Sequence, residues 1–263
     1  MHSRIDSTLR LNNDSGDDLH LRRAWAQGNY NNFNVRIGKI PDLTTYDKHL
    51  MFFTQLSGVE VNAGKVFKAQ LRAGRINKAD LMYDESFRRA TGRTAVDDPM
   101  SFQSVALTYA PSKFSLTGAY YHFNSDMFKD EFYSRNASED DAHIWEVASA
   151  YRFDKNFALT GAYMRNTKAD FYNKSYVAHL DYKGSKKNDP GSWGAYVSYR
   201  YQGGNTSMYP STDGAFQNTK GWELGAQYTI LPNIQAKAIY FNGEQLENGR
   251  DADKLFGRVE FWF

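Results

Sequence analysis

The sequence predicts an all-β protein, an antiparallel up-and-down transmembrane β-barrel of about 14 strands. Three observations carry that prediction. Apolar and polar residues alternate with period two through most of the 263 residues. The connections between the alternating stretches are short and long by turns. Aromatic residues reach 16% while mean hydropathy is only −0.67, so the chain is rich in rings and poor in aliphatic core.

The strands follow from the alternation. In chain order they are SRIDSTLRL, LRRAWAQGNY, NFNVRIGK, GVEVNAG, VFKAQLRAGR, SFQSVALTYA, KFSLTGAYYHF, HIWEVASAYRF, KNFALTGAYMR, KSYVAHLDYK, GSWGAYVSYRYQ, KGWELGAQYTI, IQAKAIYF and the closing LFGRVEFWF. In KNFALTGAYMR, Phe157, Leu159, Gly161 and Tyr163 share one face and Ala158, Thr160 and Ala162 the other. GSWGAYVSYRYQ sets Trp193, Val197, Tyr199 and Tyr201 against Tyr196, Ser198 and Arg200, and KGWELGAQYTI sets Trp222, Leu224 and Tyr228 against Glu223, Gln227 and Thr229. The last strand puts Leu255, Val259, Phe261 and Phe263 on the lipid face and Arg258 and Glu260 on the lumen face. A register slip of one residue would invert every one of these assignments.

The connections are the most informative pattern. NYNN, NAGK, APSK, FDKN, GSKKNDPG and LPN are short turns. Between them fall NNDSGDD, IPDLTTYDKHLMFFTQLS, NKADLMYDESFRRATGRTAVDDPM, NSDMFKDEFYSRNASEDD, NTKADFYNK, GGNTSMYPSTDGAFQNTK and NGEQLENGRDAD. Strict alternation gathers all the long loops at one end of a meander, the asymmetry of an outer-membrane barrel. A β-sandwich also alternates its faces, but its core face is normally filled by Val, Ile and Leu. Here that face carries rings, Gly and Ala. Tyr30, Phe33, Tyr109, Phe114, Phe153 and Phe157 stand beside short turns, and Tyr120, Trp145, Tyr176, Trp222 and Tyr240 lie toward the long loops. Two aromatic bands at the two ends of the strands suit the two membrane interfaces.

Composition narrows the function classes. The formal net charge of +2 with acids and bases nearly balanced argues against a nucleic-acid-binding surface. Cysteine is absent, which removes disulfides and thiolate metal sites. No apolar run approaches the length of about 18 residues that a spanning helix needs. MHSRIDSTLRL has no apolar h-region of a signal peptide. The chain opens inside what reads as a strand, so further chain is expected upstream.

The inward faces carry Arg10, Arg23, Arg36, Lys68, Arg72, Arg152, Arg200 and Arg258 together with Glu146, Glu223 and Glu260 as pore-lining candidates. Drying such charges in a narrow barrel costs several kcal/mol per ion. A barrel of about 14 or more strands is wide enough to keep them in water. Arg10, Arg23 and Arg36 fall on three successive strands and form a candidate cluster.

The terminal Phe263 on an outward face, LRRAWAQGNYNNFNVRIGKIP, GVEVNAG followed by FKAQLRAGRIN, and the hairpin KFSLTGAYYHFN resemble the general porins of outer membranes. The likeness is strongest to porins with an N-terminal S-layer-homology domain. It implies 16 strands, so that residues 1–263 form a single barrel domain lacking the first strands and any S-layer-homology or coiled-coil region. It further implies a passive diffusion channel in the outer membrane for small hydrophilic solutes and ions. A homotrimer, contact with outer-membrane lipid, a possible cell-wall contact through the upstream region and no cofactor follow from the same likeness, with Phe263 as membrane-insertion signal. Counted back from the C-terminus, the connection after NFNVRIGK is the third external loop, which in general porins folds inward. The matching stretch is IPDLTTYDKHLMFFTQLSG. In it, Leu50, Met51, Phe52 and Phe53 are expected on the inner wall, with Asp42, Asp47, Lys48 and His49 facing water and the carboxylates opposite Arg10, Arg23 and Arg36. The alternative is a structural or adhesive barrel that tethers the membrane to the cell wall.

Enzymatic readings are weak. His20, His49, His122, His143 and His179 are scattered, and no Ser or acid stands at a spacing that suggests a triad. His143 and Glu146 are two metal ligands without a third. NASEDDAH offers hard oxygen ligands at a spacing unlike an EF-hand and reads as a solvated acidic loop.

Overall fold

The computed structural model describes residues 2–8, 18–41, 46–51, 55–76, 99–136, 138–208 and 213–262, with side chains from residue 23 onward. Fourteen strands form one antiparallel sheet in which each pairs with its neighbours in sequence. They are β1 (His2–Thr8), β2 (Asp18–Tyr30), β3 (Phe33–Pro41), β4 (Gln55–Gly64), β5 (Phe67–Ile76), β6 (Met100–Tyr109) and β7 (Phe114–Asn124). There follow β8 (Asp141–Arg152), β9 (Phe157–Asn166), β10 (Lys174–Lys183), β11 (Trp193–Gln202), β12 (Thr219–Leu231), β13 (Ile234–Gln245) and β14 (Lys254–Phe261). Among the described residues β1 and β14 do not pair, so the sheet keeps two edges.

The short connections are 31–32, 65–66, 110–113, 153–156, 184–192 and 232–233, and the long ones alternate with them. Turn chemistry sets the tight corners. Gly64 has φ +94 at the β4–β5 turn, where a Cβ would run into the carbonyl of Phe67, and Asn233 adopts φ 64 between β12 and β13.

Burial is inverted relative to a water-soluble sheet. Leu255 is 80% exposed and Leu107 61%, and Ile37, Leu71, Val147, Leu159 and Leu224 are exposed on the same outer surface. The opposite face buries Glu60, Arg72, Glu146, Thr160, Arg200 and Glu223. An exposed apolar surface this extensive marks a membrane or partner interface rather than a water-facing one. Stacked and edge-on rings cluster at both ends of the strands. Tyr30 and Phe33 (4.7 Å), Phe67 and Tyr109 (4.6 Å), and Phe157 and Tyr182 (4.8 Å) lie at the short-turn end. Tyr120 and Trp145 (4.6 Å), Tyr176 and Tyr201 (5.0 Å), and Tyr199 and Trp222 (5.2 Å) lie toward the long loops.

The inner face is not polar along its whole length. Toward the long loops, Ile76, Met100, Phe102, Tyr121, Phe123, Ile144 and Met164 turn inward and are buried under Leu50, Met51, Phe128, Tyr133 and Met208 from the loops. The expectation of a wet interior fails at that end, because loop side chains fill it and exclude water.

Candidate functional site: the interior face and its loops

Two groups of charges line the inner face. On β3, β4 and β5 the residues Arg36, Glu60 and Arg72 stand directly opposite one another in register. Arg36 Nη1 lies 3.2 Å from Glu60 Oε1, and Arg72 Nε 3.1 Å from Glu60 Oε2. Arg36 also donates through Nε to Gln27 at 3.1 Å. One carboxylate therefore holds two guanidinium groups, which is the compensation that buried charge requires. Lys68, on the same face of β5, is exposed and joins Asn34, Asn62, Gln70 and Thr108 around a polar cavity of about 570 Å³ at the short-turn end.

The second group spans β11 to β14. Arg200 Nε lies 3.4 Å from Glu223 Oε1, which also accepts from Tyr196 Oη at 2.9 Å. Room for the Tyr196 ring comes from Gly225, where a Cβ would overlap it. Asp213, in the loop after β11, pairs with Lys237 at 2.8 Å and Arg258 at 3.0 Å, and Arg258 also meets Glu260 at 3.2 Å.

Residues 46–51, in the connection between β3 and β4, contact both sides. Tyr46 Oη lies 2.6 Å from Tyr121 Oη on β7, and Tyr121 donates to Glu146 Oε2 on β8 at 2.6 Å. Lys48 Nζ lies 2.7 Å from Asp181 on β10, and Arg200 on β11 donates to the Lys48 carbonyl at 3.0 Å. Ser207, in the loop after β11, donates to the Leu50 carbonyl. Burial among these partners, with the Glu146 carboxylate close by, pushes the Tyr46 hydroxyl pKa well up. Lys48 and His49 both have positive φ, at 52° and 60°. The tight turn is held by the Asp47 carboxylate, which accepts from the backbone N–H of His49 at 3.0 Å and of Met51 at 2.8 Å.

Several expectations are corrected by this geometry. Asp47 is fully buried rather than facing water, because its oxygens close its own turn. Arg36 is held by Glu60 and Gln27. Arg72, Glu146, Arg200 and Glu223 are buried rather than water-lined: Arg72 pairs with Glu60, Arg200 with Glu223, and Glu146 accepts from Tyr121. Arg23 is half-buried, while Arg152 is exposed on the inner-face side at the short-turn end of β8. Leu50 and Met51 pack inward as expected. Arg10, Asp42, Phe52, Phe53 and Phe263 lie outside the described residues. His143 and Glu146 point to opposite faces of β8 and do not share a site.

The loop between β11 and β12 was missed as an inward element. Its signal lay in the apolar Met208, Ala215 and Phe216 within an otherwise polar stretch. Met208 and Ala215 are buried, and the Ala215 N–H donates to Glu223 Oε2 at 2.7 Å.

A single antiparallel meander with short turns at one end, inward loops at the other and an apolar outer surface is the architecture of a porin-type β-barrel. Solved structures agree. A variant of the Rh. blastica porin superposes with TM-score 0.54 at 13% identity, covering 98% of this chain and 87% of that one. Salmonella typhi OmpF, solved in complex with daunomycin, gives 0.58 at 14% identity over 94% of this chain and 82% of that one. Pseudomonas putida OprB gives 0.57 at 10% identity over 93% and 73%. At identities this low the likeness is one of architecture. No protein-family model matches the chain. No curated protein matches it either.

Proposed function

We propose that this chain is a passive diffusion channel for small hydrophilic solutes and ions across an outer membrane, narrowed by the connection between β3 and β4. One observation carries the reading: residues 46–51 hydrogen-bond to β7, β10 and β11, far along the meander from β3 and β4. A loop reaches those inner faces only by crossing the space the sheet encloses. The exposed apolar outer surface and the porin-type architecture support placement in an outer membrane. In this reading Arg23, Arg36, Lys68, Arg152, Arg258 and Glu260 border the aqueous path. Arg200 directly and Glu146 through Tyr121 anchor the narrowing, Arg72 and Glu223 line the wall beside them, and Asp47, Lys48 and His49 form its turn. Assembly as a homotrimer, and wall contact through an upstream S-layer-homology region, extend the proposal on resemblance alone.

The buried apolar cluster under the long loops favours a second reading, a barrel plugged at that end and serving as a structural tether. Conductance in planar bilayers separates the two. Discrete steps that scale with salt support the channel. Their absence from protein that inserts and resists heat in its folded form would leave only the tether.

A further inference from the structure

We propose that His122, His143 and Asp141 form a binding site for a divalent transition cation on the outer face of the sheet, at the long-loop end of β7 and β8. The proposal rests on side-chain geometry and is independent of the channel reading. His122 and His143 stand directly opposite in the β7–β8 register, and Asn124 stands opposite Asp141 one step nearer the loops. These residues share the outer face with Tyr120 and Trp145, whereas their neighbours Phe123 and Ile144 are buried on the inner face.

The donor atoms converge. One ligand atom from each of the three residues lies within 4.8 Å of the others. His122 Nε2 is 2.9 Å from Asp141 Oδ1, and the two imidazole rings are 5.0 Å apart and perpendicular. A tetrahedral ion with bonds of about 2.0 to 2.2 Å sets its ligand atoms roughly 3.3 Å apart, so small side-chain rotations complete the site.

Hydrogen bonds behind the donors orient two of them. Gln103 Oε1 lies 3.0 Å from His122 Nδ1, so the tautomer that donates Nδ1–H to Gln103 presents Nε2, on the Asp141 side of the ring, as the ligand atom. Asn124 Nδ2 donates to the same Asp141 oxygen at 3.0 Å and fixes its direction. Two imidazoles and one carboxylate suit Zn²⁺, Ni²⁺ or Cu²⁺ better than the oxygen-seeking Ca²⁺ or Mg²⁺. Three protein ligands leave one position for water or an anionic group. The neighbouring carboxylates Glu139 and Asp140, near Lys168 and Lys129 respectively, offer with Asp141 a competing all-oxygen cluster.

The test is calorimetric titration of the tag-free full chain in detergent with Zn²⁺ and, separately, Ca²⁺. One Zn²⁺ per chain is expected, weakened at least tenfold by each of His122→Gln, His143→Gln and Asp141→Asn and unchanged by Asp140→Asn. No stoichiometric Zn²⁺ binding would overturn the proposal. So would Ca²⁺ binding as tightly as Zn²⁺ with the histidine variants matching the parent. If a variant fails to refold, electron paramagnetic resonance of Cu²⁺ on the parent decides: nitrogen couplings from two imidazoles support the site, and an all-oxygen spectrum refutes it.

Discussion

The ammonium of Lys48, in the connection after β3, lies 2.7 Å from the carboxylate of Asp181 on β10, 133 residues further along the chain. The pair is about two-thirds buried on both sides, between a surface ion pair and a core one. A double-mutant cycle with Lys48→Ala and Asp181→Asn should give a coupling of about 1 kcal/mol in unfolding experiments. In bilayers either variant should raise the open-channel current and its fluctuation, and equal currents would detach the loop from the narrowing.

Glu60 holds Arg36 and Arg72 together. Replacing it with Gln leaves two guanidinium groups facing the interior, so Glu60→Gln should lower stability by about 3 to 5 kcal/mol, as for breaking a buried pair. The reversal potential under a salt gradient should also move toward anion preference, most clearly at low salt where screening is weakest. A variant with the parent's reversal potential would place these arginines away from the ion path.

Gly225 gives space to the Tyr196 ring, and Tyr196 donates to Glu223. Gly225→Ala should cost about 1 to 3 kcal/mol through overpacking. Retention of the folded band on unheated gels at rising temperature measures it, with Gly257→Ala as control, because nothing stands near a Cβ at that position.

Asp170 ties two long loops together. Its carboxylate accepts from the Arg135 N–H at 2.7 Å and from Ser134 Oγ at 3.2 Å, and the backbone bond from Arg135 holds its pKa below the ordinary aspartate value of 3.8. A depressed carboxylate stabilises the folded form above the unfolded pKa, and that contribution is lost as pH falls through the folded value. Protection of the Arg135 N–H from hydrogen exchange should therefore fall as acid takes the pH below about 3.8, and Asp170→Asn should flatten the dependence. A parent protein with pH-independent protection would show that the bond does not hold the loops.

The meander, its faces and its turns were legible in the sequence because each is local. Period-two alternation assigns Leu224 outward and Glu223 inward from their own neighbours, and Asn233 or Gly64 marks a corner without reference to distant residues. The interior contacts were not. That Tyr46 meets Tyr121, or that Asp213 meets Lys237 and Arg258, depends on where loops return after leaving the sheet. Phe102, Phe123 and Ile144 sit at inward positions that alternation alone marks as polar-facing, and only the loops above them explain their burial. The convergence of His122 on His143 needed the β7–β8 register, which no spacing within either strand encodes.

The Ser207 to Leu50 hydrogen bond joins the loop after β11 to the loop after β3, so the two lean on each other like halves of an arch. Force applied to the turn at Lys48 is shared through Tyr121, Asp181, Arg200 and Ser207 onto three strands and a second loop. Such a span yields by releasing whole contacts rather than by gradual bending, so in the proposed channel any widening beneath it would come in steps.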